Sequence, residues 1–78
     1  MLKTRVEERK EEKRSEKRDR ILRAAEAIFL DKGFHAASMN EIAEAANVST
    51  PHLYNFYASK AALALAVQLK MGQELLML

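Results

Sequence analysis

The sequence predicts an all-α domain of three helices followed by the start of a fourth helix, with a charged helical extension at its N-terminus. Three observations support this fold class. Apolar residues first recur at the spacing of one helical face, at Ile21, Ala24, Ala25, Ile28 and Phe29. Ser38 and Ser49 are typical N-cap residues for two further helices. Gly33 and Asn47, which tolerate positive φ, separate the helical segments.

Composition limits the size of the domain and its chemistry. The chain has 78 residues, 49% of them hydrophobic, which is enough for one small domain with a modest core. It has no cysteine, and its two histidines, His35 and His52, cannot complete a tetrahedral metal site by themselves. We find no nucleophile with a base, no carboxylate pair and no Gly-rich phosphate loop. We therefore expect no enzyme activity, no cofactor and no metal.

No segment predicts a membrane span or a signal peptide. The longest apolar run, residues 61–67, is far shorter than the roughly 18 residues that a spanning helix requires. The charged N-terminus is not followed by the apolar region of a signal peptide. We expect a soluble, unsecreted protein that does not bind membranes.

The net charge of +2 is unevenly distributed along the chain. Residues 1–20 hold nine Lys/Arg and six Asp/Glu, whereas residues 21–78 hold four and five. Opposite charges recur at helical spacing in the first segment, as Glu7 with Lys10, Arg9 with Glu12, Glu11 with Arg14 and Glu16 with Arg20. Such pairs are typical of a solvated helix extension. A basic arm can also contact DNA in the minor groove, and both interpretations stay open.

The ends of the first helix and the start of the second are predicted by local signals. Gly33 suits a left-handed residue at the end of the first helix, with Phe34 folding back onto Phe29. Ser38 and Glu41 have the spacing of a capping box at the start of the second helix. We expect that helix to end after only two turns.

The next segment has the features of a helix-turn-helix. Asn47 suits a tight turn, and Ser49 caps a third helix that tolerates Pro51 in its first turn. Ala43 is small where the two helices must approach closely. The apolar residues expected to pack these helices together and onto the first are Ile42, Ala46, Val48, Leu53 and Phe56.

Over residues 20–67 the chain resembles the N-terminal DNA-binding domain of the TetR (tetracycline-repressor-like) family of bacterial transcriptional regulators. The residues that carry the resemblance are Ile21-Leu22, Ala24-Ala25, Phe29, Gly33-Phe34, Ser38-Met39, Ile42-Ala43, Ala46, Val48-Ser49, Leu53-Tyr54, Tyr57, Ser59-Lys60 and Leu63. The resemblance implies a cytoplasmic homodimer, often a repressor, that binds a near-palindromic operator in double-stranded DNA. It also implies a larger C-terminal domain that binds a small ligand and forms the dimer interface.

The resemblance places the base-reading residues at the start of the third helix. These residues are Thr50, Pro51 and His52. A hydroxyl and an imidazole can form hydrogen bonds with base edges, and the methyl group of Thr50 or the ring of Pro51 can touch a thymine methyl. His52 could equally be an ordinary surface residue.

Phosphate contacts are expected around the same helix. The resemblance assigns them to Tyr54 and Lys60, and the start of the second helix adds Ser38 and Asn40 as further candidates. The structural alternatives are that Ser38 is only a cap and that Tyr54 is a core residue with its hydroxyl at the surface.

We divide the chain into a charged arm (1–19), the helix-turn-helix domain (20–67) and an apolar tail (68–78). The tail leads towards a ligand domain that the sequence does not contain, so we expect a truncated regulator or a natural short protein, with no inducer response. Any homodimer would then be weakened, and DNA binding weak and salt-sensitive. Gly72 is expected to interrupt the last helix. The alternative function is a helical assembly module that does not bind DNA and uses the arm and the oily tail as contacts.

Overall fold

The computed structural model describes the backbone of residues 12–77 and the side chains of residues 12–70. This part of the chain contains four helices and no strand, which confirms the predicted all-α class. The helices are α1 (Arg14–Lys32), α2 (Met39–Ala45), α3 (Thr50–Phe56) and α4 (Lys60–Met77). Helix α1 packs against both α2 and α4, and α2 packs against α3. No described helix is long and apolar enough to cross a bilayer.

Helix α1 buries the face that the apolar spacing predicted. Ile21 and Ala25 are fully buried, whereas Ala24, Ile28 and Phe29 are partly buried at the edge of the core. The ring of Phe34 packs on that of Phe29 with 5.9 Å between centroids, as predicted.

Gly33 ends helix α1 with positive φ, but its conformation differs from the predicted one. Its N–H donates to the carbonyl of Phe29 at 2.8 Å, and its φ of 84° is combined with a ψ of 166°. That combination lies outside the left-handed helical region, in a region that is essentially restricted to glycine. The predicted left-handed C′ conformation was therefore wrong in its ψ angle. The positive φ still favours glycine at this position.

Helix α2 begins with the predicted capping box. The hydroxyl of Ser38 accepts from the Glu41 N–H at 3.1 Å, and the Glu41 carboxylate accepts from the Ser38 N–H at 3.2 Å. Lys32 at the end of α1 also donates to the Glu41 carboxylate, so the box is tied to α1. Helix α2 ends at Ala45 with Ala46 as its C-cap, after two turns as predicted.

The turn between α2 and α3 is short because one residue adopts positive φ. Asn47 has φ of 58°, as its residue type predicted, and this lets the Val48 N–H donate to the Ala43 carbonyl at 2.9 Å. Ser49 then caps α3 by accepting from the His52 N–H at 3.2 Å. Pro51 lies in the first turn of α3, where its missing N–H costs nothing.

The core lies where the four helices meet. Ile21, Ile42, Leu53 and Leu63 are its largest fully buried side chains, one from each helix. The complete buried cluster is Ile21, Leu22, Ala25, Met39, Ile42, Ala43, Ala46, Leu53, Leu63 and Val67. All five predicted helix-turn-helix packing positions lie in this cluster or against it, and Ala43 is buried where small size was predicted.

Helix α4 starts at a serine cap and continues past the predicted break. Ser59 accepts from the Ala62 N–H at 3.0 Å, and the helix then continues without interruption to Met77. The prediction that Gly72 interrupts the helix was wrong, because a single interior glycine costs only about 1 kcal/mol relative to alanine. Leu65 and Leu69 face outwards, 57% and 62% exposed, so the described part of α4 is apolar on more than its core face.

Arg20 forms different contacts from those that its spacing predicted. Its guanidinium pairs with Glu12 at 2.6 Å, whereas the predicted pair was with Glu16. Its Nε also donates to the carbonyl of Ala46 at 2.6 Å. The hydrogen bond to the Ala46 carbonyl fixes the direction of the Arg20 side chain. In that direction its guanidinium meets the carboxylate of Glu12 instead of that of Glu16, which lies one helical turn away. The other three predicted charge pairs involve residues outside the described part of the chain.

Candidate nucleic-acid interface

A shallow polar groove lies between the N-terminal ends of α2, α3 and α4. It is lined by Ala37, Ser38, Met39, Asn40, Thr50, Tyr54, Ala58, Ser59 and Lys60. All four residues predicted to contact phosphate line this groove, together with Thr50 from the predicted base-reading set. Residues that are far apart in the sequence are therefore brought to one surface by the packing of the helices.

Asn40 of α2 and Thr50 of α3 join the two helices within the groove. The Thr50 hydroxyl donates to the Asn40 side-chain oxygen at 2.6 Å. This contact fixes the oxygen of Asn40 as an acceptor and directs its NH₂ group away from Thr50. The NH₂ group is then the part of Asn40 that can donate to an incoming anion.

The Ser38 hydroxyl is already used on both sides. It accepts from the Glu41 N–H and also lies 3.2 Å from the Glu41 carboxylate, to which it donates. The carboxylate next to it is unfavourable for a second negative group. Capping is therefore the visible role of Ser38.

Lys60 is held over the groove by the loop between α1 and α2. Its ammonium donates to the carbonyls of Ala37 at 3.0 Å and His35 at 3.4 Å, and it lies 4.5 Å from the ring centroid of Phe34. These contacts fix the position of the charge without neutralising it, since a carbonyl and an aromatic ring carry no net charge. One ammonium N–H is left for another acceptor.

Tyr54 also lines the groove and is 47% exposed. Its exposure argues against the alternative that it is a core residue. Tyr57, three residues later, is partly buried against the core. That burial raises the pKa of the Tyr57 phenol, with Arg18 opposing the rise, and Tyr57 is a packing residue.

Pro51 and His52 lie outside the groove, although the sequence grouped them with Thr50. Pro51 is exposed, and His52 is half-buried. The His52 ring packs edge-on against Phe56 with 5.5 Å between centroids. Lys17 of α1 reaches the Nε2 atom of His52 at 3.2 Å. Thr50 therefore lines the groove, whereas Pro51 and His52 follow it in the first turn of α3.

The start of α1 runs beside α3, and the sequence did not predict this. Arg14 stacks over the Phe56 ring with 4.3 Å to the centroid, one turn before the Lys17 contact. Together with Arg20 at the turn, these cations form a row along the helix-turn-helix. The available signal was the spacing of basic residues along one helical face, but no local rule states which helix that face will meet.

No group of three or more His, Cys, Asp or Glu side chains in the described part of the chain is placed to hold a metal ion. His35 packs against the Phe34 ring at 5.6 Å, and His52 packs against Phe56. The two histidines thus have separate aromatic neighbours.

Two short helices at a tight turn, supported by a third helix and flanked by a polar groove with a positioned cation, define a helix-turn-helix DNA-binding domain. The sequence profile of the family described as "Bacterial regulatory proteins, tetR family" matches residues 21–67. The chain belongs to this TetR family of DNA-binding transcriptional regulators.

Two relatives show how far the similarity extends. The chain is 52% identical over 54 residues to the HTH-type transcriptional activator FasR of Mycolicibacterium smegmatis, an alignment that covers 69% of this chain and 25% of that protein. It is 45% identical over 53 residues to the HTH-type transcriptional regulator UidR of Escherichia coli, covering 68% of this chain and 27% of that protein. The chain spans about a quarter of the length of these relatives.

Proposed function

We propose that this domain binds double-stranded DNA in a sequence-specific manner and represses transcription by occupying an operator. The observation that carries the proposal is the groove between α2, α3 and α4. It places a fixed ammonium, an exposed phenol and two polar side chains beside the N-terminal end of α3. We propose no catalytic step, because these groups are hydrogen-bond donors without a nucleophile and base pair.

In this proposal α3 enters the major groove. Thr50, Pro51 and His52 face the base edges, as the first residues of recognition helices do. The Thr50 hydroxyl donates its hydrogen bond to Asn40, so towards DNA Thr50 presents acceptor lone pairs and its methyl group. The amino groups at cytosine N4 and adenine N6 and the thymine methyl group are the complementary features of base edges in the major groove.

The phosphate backbone lies along the polar groove. Lys60 and Tyr54 contribute a charge-assisted donor and a neutral donor from the lining of the groove, and the Asn40 NH₂ group contributes a third donor. Ser38 is proposed as the weakest contact of the four, since its hydroxyl proton is already shared with Glu41. The carbonyls that hold Lys60 position its charge before DNA arrives, which reduces the entropy lost on binding.

Two copies are proposed to bind successive major grooves about 34 Å apart on a near-palindromic site, as dimeric helix-turn-helix proteins do. One domain alone would bind weakly and with strong salt dependence, nearer the micromolar range of non-specific binding. Because the relative FasR is named an activator, the experiment also tests whether this chain represses or activates transcription.

The experiment is a selection of binding sites from sheared genomic DNA by the purified chain, at low and at near-physiological salt. The expected result is a near-palindrome that is enriched at low salt, is bound more weakly at the higher salt, and represses a reporter when placed across its promoter. Tyr54→Phe and Lys60→Met should weaken binding, whereas Lys70→Met, farther along the same helix, should not. Binding without enrichment would contradict sequence specificity. An absence of binding by a folded chain would favour an assembly module, and reporter activation would overturn the repressor role.

A further inference from the structure

The contact between Lys17 and His52 determines which nitrogen of the imidazole carries the proton. An ammonium group has only donors, so at 3.2 Å the Nε2 atom of His52 must be the acceptor. A neutral imidazole with an accepting Nε2 carries its proton on Nδ1. The remaining polar edge of the ring is then a hydrogen-bond donor.

The ring is also fixed in orientation. Phe56 packs against it at 66° between planes, and Phe56 is itself covered by the guanidinium of Arg14 at 4.3 Å. No described residue accepts a hydrogen bond from Nδ1 of His52. The Nδ1–H group of His52 is therefore a free donor, and the ring that carries it is held by Lys17 of α1 and Phe56 of α3.

We propose that Lys17 is a positioning residue for sequence recognition. It fixes His52 as an Nδ1–H donor that selects a hydrogen-bond acceptor on a base edge. The inference rests on the proposed function, since it assumes that His52 faces the major groove. The acceptors available there are N7 of either purine, O6 of guanine and O4 of thymine. Cytosine presents a donor through N4, so it is the base that this histidine disfavours.

Two roles of Lys17 must be separated. A lysine beside a recognition helix can also contact phosphate directly, which would raise affinity equally for every sequence. A positioning lysine changes discrimination at one base pair and changes the tautomer of His52. The distinction therefore requires a spectroscopic measurement as well as a binding measurement.

The first measurement is the tautomer of His52 by nitrogen NMR on histidine-labelled chain, at about pH 8, where an ordinary imidazole is neutral. The expected result is a protonated Nδ1 and an unprotonated Nε2. Lys17→Met should populate the Nε2–H tautomer, and Lys17→Arg, which keeps a donor, should preserve the native one. Lys13→Met removes the same charge one turn earlier and should leave the tautomer unchanged. A protonated Nε2 in the unmodified chain would overturn the proposal.

The second measurement is binding to the selected site with each base pair varied in turn and with single purines replaced by their 7-deaza analogues. The contacted base pair is the one at which His52→Phe abolishes discrimination between bases. For sites that differ there, the unmodified chain should bind a site with an acceptor base about fivefold more tightly than a site with cytosine. Lys17→Met should remove that preference. In the His52→Phe background, Lys17→Met should cause only a loss of affinity that is equal for every sequence, as Lys13→Met does.

An equal loss of affinity for every sequence in Lys17→Met would overturn the positioning role and leave a phosphate contact. If the folded chain bound no duplex at all, the proposed function would fail and the base contact with it. The NMR measurement would still decide the Lys17 contact in that case, so the two failures are distinguishable.

Discussion

Arg20 donates a hydrogen bond from Nε to the backbone carbonyl of Ala46, 2.6 Å away and 26 positions along the chain. Ala46 is the C-cap of α2, so its carbonyl is one of those that a helix leaves without an intrahelical partner. The contact ties the first helix to the turn of the helix-turn-helix. The other side of the same guanidinium holds Glu12.

Arg20→Met is expected to destabilise the domain by about 1 to 2 kcal/mol. It removes a charge-assisted hydrogen bond and leaves the Ala46 carbonyl without this partner. Glu12→Gln should cost less than about 1 kcal/mol, because the ion pair is partly exposed to solvent. Urea unfolding followed by circular dichroism measures both, with exposed Arg23→Met as the control. Equal effects of Arg20→Met and Arg23→Met would show that the Ala46 contact is not stabilising.

Gly33 and Asn47 both have positive φ, but they should respond differently to substitution. Gly33→Ala is expected to cost about 1 to 3 kcal/mol from backbone strain alone, because a Cβ at this position would meet no atom within 4 Å. Gly33→Asn should not recover the loss, since the ψ of 166° is outside the region that asparagine tolerates. Asn47→Gly should change stability by less than about 0.5 kcal/mol. A stable Gly33→Asn variant in thermal unfolding would contradict the assigned conformation.

The stability of the domain should depend on pH through Glu41. The hydrogen bond from Lys32 is the main cause that lowers the pKa of the Glu41 carboxyl below its usual 4.5, with Ser38 adding to it and burial opposing it. A lowered pKa in the folded state stabilises the fold above the usual value, and the contribution is lost as the pH falls through the lowered pKa. The same contact raises the pKa of Lys32 above 10.5, so that contribution is present below 10.5 and is lost as the pH rises through the raised value.

Glu41→Gln tests this dependence because glutamine keeps the capping-box acceptor and removes the charge. The expected result is a shallower loss of unfolding free energy on acidification than in the unmodified chain. Glu44→Gln, an exposed position on the same helix, is the matched control. Parallel acid profiles for Glu41→Gln and the unmodified chain would refute the ionic contribution.

Lys60→Met should reduce the slope of log affinity against log salt by about one, the value for a single phosphate contact. The loss should be similar on different sequences, because phosphate contacts carry no base information. Lys60→Arg should retain the slope, and the melting temperature of each variant controls for the lost contacts to Ala37 and His35. An unchanged slope in folded Lys60→Met would exclude the phosphate contact.

Local signals account for most of the helix boundaries. The caps at Ser38, Ser49 and Ser59 each act on an N–H three residues later, so they can be predicted without the fold. Asn47 likewise follows from the steric freedom of a single residue. The local prediction failed at Gly72 because a glycine lowers helix propensity without ending a helix.

The site was predictable in its residue types and only partly in its arrangement. The resemblance grouped Thr50 with Pro51 and His52, and only the packing shows that Thr50 also lines the groove with Tyr54 and Lys60. Met39 is buried in the core, where a flexible methionine side chain fills gaps between packed helices.

The sequence by itself determined the helical class, the caps, the residues with positive φ and the membership of a DNA-binding family. Those properties depend on a residue and its near neighbours, or on a pattern that a whole family shares. Only the tertiary structure decided that Lys17 meets His52, 35 positions away, and that Arg20 meets Ala46. Contacts of that separation depend on the angles at which packed helices cross, and those angles are set by the whole core together.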